Sequence, residues 1–169
     1  MKRNAATLAS SLQQLGHTIV TNGTDNHLLL WDLRPTGLSG AKIEKICELC
    51  EISVNKNSVS GDTSAVNPGG VRLGTPAMTT RGMKEGDMQK IAAFLHRVTG
   101  LSQRIQSAAA KEVEDKDKML DGVKAKAKVS LKEFLSVAST RQEFVDEVTA
   151  IKAEVEAYAG SFPLPGISP

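Results

Sequence analysis

Aromatic side chains are scarce in this sequence. One Trp, one Tyr and four Phe make up 4% of its 169 residues, so a core has to be assembled from Leu, Val, Ile and Ala. Histidine is limited to His17, His27 and His96, which stand at no metal-ligand spacing. Cysteine is limited to Cys47 and Cys50 in Cys-Glu-Leu-Cys, and without a second such pair a zinc site lacks its other half. A helical reading sets the two thiols one turn apart beside Ile43, Ile46 and Leu49. They are expected as buried, reduced cysteines packing as small apolar residues, which suits a reducing compartment. No charge of one sign dominates. The net charge is +2 and no Lys/Arg cluster is interleaved with aromatics, so nothing argues for nucleic acid. No apolar run approaches the roughly 20 residues needed to cross a bilayer. The opening MKRNAATLASSLQQLG is basic but lacks the continuous apolar core and cleavage pattern of a signal peptide.

What is present is ordinary for a globular chain of one domain or one and a half: 40% apolar and 24% charged residues. Residues 4–15 carry Ala5, Leu8, Ala9, Leu12 and Leu15, the stripe of an amphipathic helix, with Gly16 placed to end it. A chain that opens in mid-helix suggests a domain cut from something longer. Residues 17–20 read as a short strand, 21–26 as a turn with an Asn-Gly hairpin signal, and 27–33 as a buried antiparallel strand. Ser39 would cap a helix over 40–51. Residues 52–54 and 71–73 are two further short strands. Pro76 opens a short helix through Thr80, ended by Gly82. Residues 84–110 are plainly helical, with Met88, Ile91, Ala92, Leu95, Val98, Leu101 and Ile105 on one stripe. Residues 111–128 hold eleven charged residues in eighteen and read as a solvated helix or linker. A weak helical pattern covers 129–138. Thr140 with Glu143 then forms a capping box for a last helix, seamed by Phe144, Val148, Ile151, Val155 and Tyr158. The prolines of 162–166 forbid helix.

The fold class is α/β of the α+β kind: a small, mostly antiparallel sheet with helices on one face. Residues 1–110 form the sheet-and-helix core. The charged stretch 111–128 follows, and 129–169 add C-terminal helices and a Pro-rich tail to the same domain.

Residues 54–82, VNKNSVSGDTSAVNPGGVRLGTPAMTTRG, hold few large apolar side chains and much Gly, Pro, Asn, Ser and Thr. Most of this must be loop, yet it is longer than the roughly 12–15 residues beyond which loops are usually functional or disordered. Val71-Arg72-Leu73 sets one guanidinium between two β-formers at its end, the pattern of an anion reader.

The runs TNGTDNHLLLWDLRPTGLSG, ISVNKNSVSGD and PGGVRLGTPAMTTRG are together similar to the C-terminal domain of serine hydroxymethyltransferase. The match covers nearly the whole chain and includes the terminal FPLPG of eukaryotic members. The resemblance implies the small C-terminal domain of an aminotransferase-like (fold type I), pyridoxal-phosphate-dependent enzyme. Such an enzyme interconverts serine and glycine and passes the one-carbon unit to tetrahydrofolate. The implied partners are glycine or serine, tetrahydrofolate, and identical subunits in a homodimer or tetramer, with no nucleic acid and no membrane. The family's Schiff-base lysine, the aspartate on the pyridine nitrogen, the stacking histidine and the phosphate loops lie upstream of the matched region. The chain alone is therefore expected to be inactive, with no catalytic, cofactor-binding or metal residue of its own. A cytoplasmic location is expected. A mitochondrial or plastid one stays open, because any targeting peptide would lie upstream.

By the same resemblance Arg72 grips the α-carboxylate of the amino-acid substrate. A guanidinium offers two parallel N–H donors that match a carboxylate, which a lysine cannot reproduce. The competing reading is a surface arginine satisfied by an acidic neighbour. Asn57 matches a pterin-contacting asparagine, against a turn residue bonded to its own backbone. Ser64, Ala65 and Val66 fall on the family's folate-contacting backbone, with local spacing about one residue off some bacterial members. Lys56 reads as solvated and Arg81 as a structural charge at a helix end. His27 reads as a structural hydrogen bond at a turn; His17 and His96 receive no role. Asp25, Asp32 and Asp62 are too scattered for an acid/base pair. Two other readings compete. One is a non-catalytic, stand-alone interaction domain that pairs with full-length subunits. The other is the small domain of a different aminotransferase-like enzyme, which the Asn-Lys-Asn motif disfavours. Without its large domain, the chain is expected to expose apolar surface on the first helix and the sheet edges.

Overall fold

The computed structural model describes residues 1–63, 67–119 and 129–166. Helix α1 (Lys2–Gln14) leads into strand β1 (Thr18–Ile19) and, after a turn, β2 (Leu28–Asp32). Helix α2 (Gly40–Leu49), strands β3 (Asn55–Asn57) and β4 (Gly70–Gly74), and short helix α3 (Pro76–Thr80) follow. Then come the long helix α4 (Glu85–Met119), α5 (Leu131–Thr140) and α6 (Gln142–Gly160).

The strands form one sheet in the order β1-β2-β4-β3, every neighbouring pair antiparallel. Period-two alternation divides its faces. Leu29, Trp31, Val71 and Leu73 point to one side and are buried, while Leu30 is half-buried and Arg72 exposed on the other. The buried side meets Leu8 and Leu12 of α1, Ile43 and Ile46 of α2, and the Met88, Leu95, Val98 and Leu101 stripe of α4 in one core. Helices on one face of an antiparallel sheet are what the sequence predicts. Leu15, expected on the α1 stripe, is 39% exposed because the helix closes before it.

Three helices end alike. The amides of Gly16 and His17 donate to the carbonyls of Gln13 and Leu12, and Gly82 and Met83 close α3 in the same way. Helix α2 uses the same closure with Glu51 at φ 58°, where a glycine would be the usual choice. The sequence offers no Gly there, so the predicted helix overran its true end. Leu49, expected beside the thiols, is 47% exposed. Cys47 and Cys50 are fully buried and unbridged. Burial pushes both thiols up, Cys50 to about 11.

Two sequence expectations are corrected. The third strand is Asn55–Asn57, not residues 52–54. Ile52 and Val54 pack on the core, and the polar Asn-Lys-Asn pairs with β4 because an edge strand needs backbone partners rather than apolar alternation. The capping box lies at Ser130–Glu133, not Thr140–Glu143. The Glu133 amide donates to Ser130 Oγ at 3.2 Å and the Ser130 amide to Glu133 Oε2 at 2.8 Å. Thr140 is the last residue of α5, and its hydroxyl donates back to the Ser136 carbonyl. The charged stretch after residue 110 continues α4 to Met119; residues 120–128 lie outside the described ones. Large apolar side chains exposed among the described residues are Met1, Leu15, Leu49 and Leu164, at separate places along the chain rather than in one run. No helix among the described residues is long and apolar enough to cross a membrane.

Candidate functional site: the open face of the sheet around Arg72

Val71 and Leu73 are both buried in the core, so β4 is pinned on either side of Arg72. Alternation then delivers the guanidinium to the opposite, open face. The register sets Leu30 of β2 on one flank and Asn55 of β3 on the other. Arg72 is exposed, and among the described residues no hydrogen bond or ion pair reaches its side chain. The acidic neighbour of the competing reading does not engage it.

The carboxylate on the same face is Asp32, opposite Gly70. Arg34 holds it. Asp32 Oδ1 accepts from the Arg34 amide at 3.0 Å and from Nε at 2.9 Å, and Oδ2 accepts from Nη2 at 2.7 Å. The Arg34 side-chain bonds keep the Asp32 carboxyl below the usual carboxylate range. Arg34 Nη1 donates to the Ser60 carbonyl at 2.9 Å. Asp62 Oδ2 accepts from the amides of Gly69 at 2.8 Å and Val59 at 2.9 Å, and the Gly69 amide foremost holds its carboxyl down. These contacts tie both ends of the polar loop to the strand pair. The glycine pair before β4 has a steric cause. A Cβ on Gly69 would sit 2.7 Å from Arg34 Cγ and from Asp62 Oδ1, and one on Gly70 would sit 2.5 Å from Val59 Cγ1.

Asn57 shares the open face, in the row of Gly70 and Asp32. Its Nδ2 donates to the Ser58 carbonyl at 2.8 Å, the local bond of a turn residue. Ser64, Ala65 and Val66 lie outside the described residues. Lys56 is exposed at the sheet edge, its amide donating to Glu44 Oε1. Arg81 is structural: Nη2 donates to the carbonyls of Ala159 at 2.6 Å and Phe162 at 3.0 Å, and Nε to that of Pro163, closing the end of α6. His27 bonds through its backbone carbonyl, which accepts from the Thr75 amide and hydroxyl, both at 3.0 Å.

Two groupings escaped the sequence. The Asp32–Arg34–Asp62 network joins residues the sequence leaves scattered; the Asp-Leu-Arg run was its one local signal. His17 and His96, 79 positions apart, meet at 3.0 Å between Nε2 and Nδ1. The His17 ring also stands edge-on to Trp31 with centroids 5.0 Å apart. Nothing local in the sequence announces that pair.

Fold and site define a small α+β domain that presents one unengaged arginine on the open face of an antiparallel sheet, beside a polar loop held at both ends. The family model for serine hydroxymethyltransferase matches residues 1–95. Serine hydroxymethyltransferase 5 of Arabidopsis thaliana is 48% identical over 98% of this chain and 31% of that protein. The cytosolic serine hydroxymethyltransferase of Oryctolagus cuniculus is 42% identical over 97% of this chain and 31% of its own length. A putative mitochondrial one of Neurospora crassa is 40% identical over 96% of this chain and 30% of its own. The chain belongs to the serine hydroxymethyltransferase family, and it spans about a third of the length of the curated relatives it matches.

Pyridoxal phosphate needs an amine to carry it and an acid for its ring nitrogen. The strand lysine, Lys56, pairs with Val71 and so stands on the other side of the sheet from Arg72. Asp32, on the Arg72 side, is spent on Arg34. Neither residue is placed to hold the cofactor beside Arg72, so no step through it follows from this site.

Proposed function

We propose that this chain is the C-terminal part of a pyridoxal-phosphate-dependent serine hydroxymethyltransferase, with Arg72 as the group that grips the α-carboxylate of glycine or serine. The cofactor, when bound, supplies the electron sink for bond breaking at Cα. This chain supplies position. A charge-assisted bond between guanidinium and carboxylate contributes about 1.5–3 kcal/mol net. Holding the carboxylate fixes which Cα bond faces the cofactor, so the arginine contributes orientation as well as affinity. Asn57, Ser64, Ala65 and Val66 contact tetrahydrofolate, residues 1–110 are the substrate-facing core, and residues 129–169 complete the same domain. The full-length protein acts as a homodimer or tetramer in the cytoplasm. The observation that carries this reading is the unengaged Arg72 on a pinned strand.

The test uses an enzyme in which this chain forms the C-terminal third, joined to the preceding part of the Arabidopsis relative. Arg72→Ala there is expected to abolish glycine binding while the cofactor stays bound. Unchanged glycine affinity would sink the assignment. The 169-residue chain alone, incubated with pyridoxal phosphate, is expected to give only the spectrum of the free cofactor; a stable new band would contradict the reading.

A further inference from the structure

Arg72 has a rival for its substrate inside its own sheet. Leu30 lies opposite Arg72 and Asp32 opposite Gly70, so Arg72 and Asp32 are diagonal neighbours on one face. Such positions are about 7–8 Å apart, within the span of a long side chain. A guanidinium and a carboxylate at that spacing tend to close on each other. Here they do not, and Arg34 is the reason. It takes both Asp32 oxygens, through its amide and Nε on Oδ1 and Nη2 on Oδ2. Arg34 is itself fixed on its far side, with Nη1 on the Ser60 carbonyl and its stem lying where a Gly69 side chain would be.

Given Arg72 as the carboxylate reader argued above, we propose that Arg34 is a positioning residue: by occupying both oxygens of Asp32 it keeps Arg72 open to a carboxylate from solution. The surface then holds one engaged carboxylate–guanidinium pair and one arginine in waiting. An Arg at position 34 is required for this, because a lysine engages one oxygen and leaves the other to compete.

Nuclear magnetic resonance of the Arg72 Nε–H in the 169-residue chain tests the pairing without any activity. In the unmodified chain the signal is expected to stay flat as Asp32 titrates. In Arg34→Met it follows that titration, and adding Asp32→Asn makes it flat again. Arg34→Lys is expected to fall between, and it serves if the Met variant does not fold. A signal unmoved by either Arg34 variant overturns the proposal. In the joined full-length enzyme, Arg34→Met is expected to raise the amino-acid KM about fivefold, the effect of a competing exposed ion pair. Asp32→Asn on top of it restores that KM, while the folate KM stays raised through the lost Ser60 contact. A raised amino-acid KM that Asp32→Asn does not restore would reduce Arg34 to a loop support and overturn the proposal. Should Arg72→Ala leave glycine affinity intact, the carboxylate-reader assignment fails, while the resonance experiment still decides whether Arg34 keeps the two apart.

Discussion

Acid should weaken this domain through one histidine before its carboxylates are reached. His17 is buried against Trp31 and bonded to His96, and burial foremost, with His96 second, lowers it from 6.5 to about 4. In the unfolded chain the same ring titrates at its ordinary value. Between those two values the unfolded state binds the extra proton, so stability rises with pH there and is lost as pH falls. At 1.36 kcal/mol per unit the difference amounts to about 3 kcal/mol by pH 4, and about 2 kcal/mol after allowing for the solvent that reaches part of the ring. That is a large share of the roughly 5–15 kcal/mol that holds a domain together. Trp31 is the one tryptophan and touches His17, so its fluorescence reports the transition directly. Urea unfolding at a series of pH values should show the midpoint falling by about 1 M between pH 7 and pH 4. His17→Phe keeps a ring against Trp31 and should flatten that dependence. Asp32, Asp62, Asp87 and Glu154 are all held below their ordinary values, chiefly by Arg34, the Gly69 amide, the Tyr158 hydroxyl and Arg97 respectively. Their losses come as pH falls further, which separates the two windows. An unchanged midpoint from pH 7 to pH 4.5, or a His17→Phe chain with the same slope, would refute the reasoning.

Three other outcomes follow from single side chains. Ser130→Ala should cost about 1 kcal/mol in thermal unfolding, since it removes a capping box, whereas Thr140→Ala at the end of α5 should cost less than about 0.5 kcal/mol. Glu51→Gly should stabilise by up to about 1 kcal/mol, because Glu51 sits at φ 58° where glycine carries no Cβ penalty; a lower melting temperature would mean its ion pair with Lys152 outweighs the strain. Arg72→Ala should change the urea stability of the isolated chain by less than about 0.5 kcal/mol, against about 2–5 kcal/mol for Leu73→Ala beside it; a large loss at Arg72 would reveal a structural partner.

The sequence announced the fold where a period or a terminator repeats over several residues. Apart from Leu15, the α1 and α4 stripes stand where the pattern put them, as do Gly16, Pro76 and Gly82. It failed where a backbone partner overrode composition. Asn-Lys-Asn has no strand propensity and is a strand because β4 offers it hydrogen bonds. Two Ser/Thr-x-x-Glu runs are present, one opening α5 and one at the α5–α6 corner, and spacing alone does not tell which one caps. Arg72 was legible because alternation around it is local. Asp32–Arg34–Asp62 and His17–His96 were not, because each is assembled by strand pairing and helix packing across the fold.

The division of the sheet into two faces explains how this chain alone can hold Arg72 in place. Everything that orients Arg72 lies on the covered face: Val71 and Leu73 beneath it, Leu29 and Trp31 beside them, and the helices that bury all four. None of that burial draws on residues outside this chain. On the open face, Arg72 keeps its guanidinium donors unspent, as the proposed carboxylate reader needs. Preorganisation of this kind removes the ordering cost that a flexible arginine incurs when its ligand arrives. It also requires that no neighbour satisfy the arginine first. On this sheet that requirement falls on Arg34, whose loss would turn an open donor pair into an internal salt bridge with Asp32.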